Sequence, residues 1–198
     1  MQWPEFFVSG FTEERYQRQR GKKMPRKQIY LTGFMGTGKS TILNYIHKKC
    51  GFEKIEMDEQ IVREQGMSIS DIFEKKGEEY FRNLETNLVK RISGMDEIVV
   101  SCGGGTVMRQ CNVEEMKKEG TIILLTATPL TVYERVKNSH NRPLLEQNMN
   151  PEYIGKLMEA RRQKYEAAAD LIVHTDGRSA EEISGEIMDR LNLGRCMK

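Results

Sequence analysis

The sequence predicts a three-layer α/β/α domain built on a five-stranded parallel sheet, and three observations carry that expectation. Strand-like and helix-like segments alternate from Gln28 onward, the pattern of a parallel sheet covered on both faces through right-handed crossovers. The first strand runs straight into a glycine-rich loop and then a helix, which is how phosphate-binding loops are built. At 198 residues, 38% of them hydrophobic, the chain can bury one core without disulfides or a structural metal.

Residues 1–23 stand apart from this pattern. Trp3, Phe6, Phe7 and Phe11 precede the polar and basic run RYQRQRGKK and a second methionine at Met24. They read as a nonessential tail, with the domain occupying residues 24–198, because termini order only when something ties them down. The first strand is centred on Ile29, Tyr30 and Leu31. A helix follows over 39–49, and Gly51 marks the turn into a short strand at 52–56. Two short helices are expected at 58–64 and 70–75, broken at Gly66. Residues 78–92 place Phe81, Leu84, Leu88 and Ile92 at helical spacing, which makes one buried face. The run EIVVS at 97–101 is the third strand and enters Gly103, Gly104 and Gly105, a second place where the backbone must come close to something. Residues 114–119 are expected to be helical, 121–125 (TIILL) a buried strand, 131–138 a helix and 139–149 a polar loop. Pro151 opens a long helix to about Ala168, 171–174 is the last strand, and Ser179 with Glu182 has the form of a capping box for a closing helix.

The loop after the first strand carries the most specific chemistry. In QIYLTGFMGTGKST, residues 28–41, Gly33, Gly38, Lys39 and Ser40 fill the pattern G-x-x-x-x-G-K-[ST]. Gly33, Gly36 and Gly38 allow a tight loop whose N–H groups turn inward on phosphate oxygens. The following helix adds its positive end, Lys39 a mobile charge for the β and γ phosphates, and the Ser40 hydroxyl a ligand for magnesium. Gly36, Thr37, Gly38, Lys39, Ser40 and Thr41 are therefore the expected nucleotide-binding residues. The loop, residues 56–58, residues 102–105 and the segment after Leu125 all fall at carboxyl ends of expected strands, where such sheets bind their ligands.

Composition narrows the alternatives. A net charge of +2 is too small to mark a nucleic-acid surface. Cys50, Cys102, Cys111 and Cys196 show neither a C-x-x-C pair nor a histidine at metal-ligand spacing, which suits reduced thiols in a cytosol. With no apolar run near the roughly 20 residues needed to span a bilayer, a cytoplasmic monomer acting on small molecules is expected, without nucleic-acid or membrane partners.

From residue 28 to about residue 191 the chain resembles shikimate kinase, a small P-loop family of the nucleoside-monophosphate-kinase-like type. The resemblance rests on GFMGTGKS, on MDEQI followed by SISDIFEKKGEEYFRNLE, on SCGGG, on NRPLL, and on ARRQKY followed by AAADLIV, in that order. It implies ATP-dependent phosphorylation of the 3-hydroxyl of shikimate in chorismate and aromatic amino-acid biosynthesis, with Mg2+ accompanying ATP. It further implies a substrate-binding helical region at about 57–93 and a lid at about 139–150. By the same resemblance Arg82 and Arg161 hold the substrate carboxylate, as planar bidentate donors suit. Asp58 meets the substrate hydroxyls and takes the proton of the attacking one, while Gly103, Gly104 and Gly105 lie against the ring. Arg142, in NRPLL, reaches the transferred phosphate and Arg135 stacks on adenine. Lys39, Asp58 and Arg142 are thus the expected catalytic set. Glu85, one turn after Arg82, is placed to orient an arginine. The family usually has two aspartates one residue apart at the second strand end, the first acting on magnesium through water. Here the pair is Glu56 and Asp58, so Glu56, with Ser40, is the expected metal contact. The other readings are a gluconate-kinase-like enzyme and a noncatalytic nucleotide-binding relative.

Overall fold

The computed structural model describes residues 28–137 and 150–193. Within them, five strands form one parallel sheet in the order β2-β3-β1-β4-β5: β1 (Gln28–Thr32), β2 (Glu53–Glu56), β3 (Ile98–Ser101), β4 (Gly120–Thr126) and β5 (Leu171–His174). Register is continuous across the centre, with Tyr30 of β1 opposite Val100 of β3 on one side and Ile122 of β4 on the other. The helices are α1 (Lys39–Cys50), α2 (Met57–Gln65), α3 (Ile69–Lys76), α4 (Glu78–Ile92), α5 (Gln110–Glu119), α6 (Pro129–Val136), α7 (Pro151–Ala168) and α8 (Ala180–Arg190). None of the described helices is long and apolar enough to cross a membrane.

Alternation along the strands divides the core in two. Tyr30, Val100, Ile122 and Leu124 face one side and pack with Leu88 and Ile92 of α4, Met116 of α5, and Tyr165 and Ala168 of α7. Ile29, Leu31, Val99, Ile123 and Leu125 face the other and pack with Ile42, Leu43 and Ile46 of α1 and with Ile183 and Ile187 of α8. A third cluster, Phe34, Ala127, Val132, Val136 and Ile154, fastens the loop after β1 to α6 and α7. Because all five strands run the same way, the segments after β1, β2, β3 and β4 emerge together at one edge of the sheet.

The expected boundaries of α4, α7 and β5 coincide with the observed ones. Helices α2 and α3 each start one residue earlier than expected, and two others start earlier by two or more. Helix α6 begins at Pro129, whose fixed φ suits the first helical position, and the Thr128 side chain caps it by accepting from Thr131 N. Helix α5 begins at Gln110 behind a 3₁₀ turn, Thr106–Met108, that comes after the triple glycine. The buried face of α4 also differs from expectation. Its fully covered residues are Phe81, Glu85, Leu88, Val89 and Ile92, so a carboxylate takes a core-facing position while Leu84 is only half-buried. The capping box of α8 is present in both directions. Residues 1–23, the 139–149 loop and Arg142 lie outside the described residues, as does the expected lid except for Asn150, the N-cap of α7.

Candidate active site

The loop between β1 and α1 is built to leave amide groups available. Gly38 is the N-cap of α1, with φ 98° and no side chain to satisfy the first-turn N–H groups, so the helix presents its positive end to an anion. Thr37 is buried and donates from Oγ1 to Phe34 O at 2.8 Å. Its side chain braces the loop from below, which leaves only its backbone to meet a ligand. Lys39 Nζ spans the loop mouth, donating to Gly33 O at 2.9 Å and Phe34 O at 3.1 Å. Ser40 and Thr41 follow Lys39 in the first turn of α1, where Ser40 lines a cavity of about 220 Å³ together with Asn44, Lys54, Glu56 and Glu59.

Glu56 ends β2 and is the extended N-cap of α2; Asp58 lies two residues on, in the first helical turn. Asp58 keeps a face open to solvent, yet the protein around its carboxyl strips away part of its water. That desolvation pushes the carboxyl above the ordinary range, and the Glu85 charge adds to the push, with Glu56 contributing further. Lys39 and Arg82 pull the other way. Asp58 is therefore a better proton acceptor than a fully hydrated aspartate.

The triple glycine after β3 brings three elements onto one point. A Cβ on Gly103 would lie 2.7 Å from Asp58 Oδ1 and 2.7 Å from Glu85 Oε1, and one on Gly105 would lie 2.7 Å from Arg82 Nη2 and closer still to Cζ and Nη1. Only a residue without a side chain lets α2 and α4 deliver these groups here. Arg82 Nη1 donates to Glu85 Oε2 at 2.7 Å, and its Nη2 and Nε donate to Glu78 Oε1 at 3.0 and 3.2 Å. Burial opposes the Arg82 charge, but the bonds and charges of Glu85 and Glu78 outweigh it and raise the guanidinium's pKa, so the cation is retained. Its guanidinium also rests beside the Phe81 and Phe73 rings, 5.4 and 5.8 Å from their centroids. From α7, the Tyr165 hydroxyl donates to Gly104 O at 2.6 Å, and burial raises its pKa while the neighbouring Arg161 charge pulls it down. A Cβ on Gly104 would stand 3.7 Å from Arg161 Nη1. Cys102, beneath the glycines, is buried, and burial with the Glu85 charge raises its thiol far above neutrality, so it serves as packing and not as a nucleophile.

On the other flank, Arg135 of α6 donates from Nη1 to Gly36 O at 3.1 Å and to Thr175 Oγ1 at 3.0 Å, and from Nη2 to Thr175 O at 2.8 Å. The guanidinium ties the phosphate loop to the segment after β5. Asp176 in that segment accepts from Thr128 N at 2.8 Å and fixes the start of α6.

The structure thus brings Lys39, Glu56, Asp58, Arg82, the three glycines and Arg161 to the carboxyl edge of the sheet, with Arg135 on the far side of the phosphate loop. Tyr165, Thr106 and the complete burial of Glu85 are additions to the expected set. Glu85 was the most legible of them, four residues after Phe81 and three before Leu88, on the face that α4 buries. Thr106 carries no pattern of its own; its place is set by the turn that the glycines make.

With this geometry in view, the comparisons with known proteins agree. The family model for shikimate kinase matches residues 35–192. A shikimate kinase of Persephonella marina is 42% identical over 165 residues, which are 83% of this chain and 99% of that protein. Among solved structures, shikimate kinase from Acinetobacter baumannii in complex with shikimate superposes with a TM-score of 0.78 at 28% identity, covering 85% of this chain and 94% of that one. The shikimate kinase of Aquifex aeolicus gives 0.71 at 36% identity, covering 83% and 96%. A phosphate loop, Asp58 beside it and an arginine pocket folded around three glycines, in a chain matched over four-fifths of its length, make it a member of the shikimate kinase family.

Proposed function

We propose that this chain transfers the γ-phosphoryl group of ATP to the 3-hydroxyl of shikimate, giving shikimate 3-phosphate and ADP, a step toward chorismate and the aromatic amino acids. The observation that carries this reading is the convergence of Asp58, Arg82 and Arg161 on Gly103 to Gly105 beside the phosphate loop. Two arginines entering from α4 and α7 suit a carboxylate held from two sides, and the glycine backbone between them leaves room for a six-membered ring. Asp58 then accepts the proton of the attacking hydroxyl, a task its raised pKa favours. Lys39 leaves the loop carbonyls for the β and γ phosphates, and Arg142 contributes a planar cation to the charge on the phosphoryl group in flight. The in-plane bonds of Arg135 leave the guanidinium faces for the adenine ring.

The donor set also suits magnesium. A hydroxyl, Ser40, and a carboxylate, Glu56, line one cavity at the mouth of the loop, and both are the hard oxygen donors that this ion takes. When bound with ATP, the ion would neutralise charge on the β and γ phosphates.

A coupled assay of ADP release with ATP, magnesium and shikimate, run beside gluconate and beside no acceptor, tests the reading. Turnover with shikimate alone is expected. Turnover with gluconate, or nucleotide binding without turnover on either acceptor, would overturn it.

A further inference from the structure

We infer that Thr106 is a positioning residue for the carboxylate-binding Arg82, acting through Glu85. Thr106 is fully buried at the start of the 3₁₀ turn, and its Oγ1 donates to Glu85 Oε1 at 2.6 Å. Glu85 is itself fully buried, and its other oxygen accepts from Arg82 Nη1 at 2.7 Å. The two carboxylate oxygens are thus divided between one partner that orients the group and one that uses it. Without the hydroxyl, Oε1 would be a buried acceptor lacking that partner and facing Asp58 across Gly103, and the carboxylate would turn away from Arg82 to recover a hydrogen bond.

Thr106 is in turn held from two sides. Asn112, buried in α5, donates from Nδ2 to Thr106 O at 2.8 Å. Arg109, at the end of the same turn, donates to Asn83 Oδ1 at 2.7 Å and pairs with Glu79 Oε1 at 2.6 Å, both on α4. The turn therefore cannot drift relative to the helix that carries Arg82 and Glu85, and the hydroxyl position becomes a fixed reference for the fork. The chain of contacts runs from Asn112 through Thr106 and Glu85 to Arg82, and it ends at the position where the substrate carboxylate binds. This inference rests on the assignment of shikimate as the substrate.

Thr106→Val keeps the β-branched shape and removes only the hydrogen bond. It should raise KM for shikimate about tenfold or more, the scale of losing a hydrogen bond to a charged group, while KM for ATP stays at the wild-type value and kcat within about twofold. Thr106→Ala, which removes the hydroxyl without adding a methyl, should show the same split if the valine variant does not fold, and Thr106→Ser should recover wild-type KM. In the Glu85→Gln background, Thr106→Val should add much less than it does alone, since both act on one group. An unchanged KM in both hydroxyl-free variants, full additivity with Glu85→Gln, or equal losses for ATP and shikimate would each overturn the positioning role. Wild-type protein that neither binds nor phosphorylates shikimate would overturn the substrate assignment and this inference with it.

Discussion

Asp58 and Glu85 approach one another across Gly103, each with an oxygen 2.7 Å from where a Cβ on that glycine would stand. Two carboxylates so close, one of them fully buried, cannot both carry charge without cost, and the repulsion adds to desolvation in raising the Asp58 pKa. Of the two carboxylates, Glu85 is held by Arg82 and Thr106 while Asp58 keeps a face open to solvent, which leaves it free for a different task.

The consequence for stability has a definite sign. Asp58 binds its proton more tightly folded than unfolded, so the stabilisation it gives is complete below the unfolded pKa of about 3.9 and is lost as pH rises through the higher folded value. Asp58→Asn carries no such loss. Its melting temperature relative to wild type should therefore be higher at pH 7.5 than at pH 4, while kcat falls by a factor of about 10² or more at pH 7.5 because the proton acceptor is gone, and by less at pH 4, where protonation already disables part of the wild-type carboxylate. A melting difference that is the same at both pH values would rule out carboxylate repulsion as the cause.

Gly105→Ala should separate binding from folding. The added Cβ falls on the Arg82 guanidinium, which is the far end of a flexible side chain and can move aside. Melting should change little, whereas KM for shikimate should rise by about 10-fold to 100-fold, the range for a lost charge-assisted bidentate contact. Arg82→Ala should give the same rise, and the double variant should be no worse than either alone. A Gly105→Ala protein with normal KM would show that the Arg82 position seen here is not the one that binds substrate.

Lys39→Met should abolish turnover, with kcat lower by about 10² to 10³ or more, since the phosphoryl group in flight loses a fixed cation. Lys39 also bonds two loop carbonyls, but these close a loop already braced by Thr37 and Phe34. Folding should survive, and circular dichroism with a nucleotide-free melt checks it; a collapse of the melting temperature would mean that the lysine is structural.

Much of the fold and the site was legible in the sequence, for physical reasons that differ by region. The apolar runs around 29–31, at 121–125 and at 171–174 and the helical spacing in α4 come from burial, which one chain displays on its own. The phosphate loop is legible because glycine, lysine and serine have no other reason to stand at those spacings. The features that escaped depend on two distant segments meeting. Glu85 was expected to orient an arginine and does pair with Arg82, but its bond to Thr106, 21 residues on, shows only when the two segments meet. Tyr165 reads as core until its hydroxyl reaches Gly104 O, 61 residues away in sequence. The early start of α6 was within reach, because Thr128 and Pro129 are ordinary start signals.

Glu56 stands where the resemblance to shikimate kinases implies an aspartate, and the fold limits how the longer side chain can act. It is the last residue of β2, opposite Ser101 of β3, so its backbone position is fixed by the sheet and only the side chain can adjust. It lines the same cavity as Ser40. Magnesium keeps near-ideal octahedral geometry and several waters, so a carboxylate acting through one of those waters tolerates little displacement. In the proposed metal site a glutamate reaches one methylene farther from a backbone held by the sheet, so its side chain would have to fold back and the contact would be looser than an aspartate's. Glu56→Asp should therefore retain activity and lower the magnesium concentration for half-maximal rate, and Glu56→Gln should raise it by about threefold to tenfold, a loss near 1 kcal/mol. Asp58→Asn should instead lower kcat at every magnesium concentration, because the role proposed for Asp58 is toward the substrate hydroxyl. A magnesium titration of kcat for the three variants and wild type makes the comparison, and superimposable curves for Glu56→Gln and wild type would take Glu56 out of the metal site.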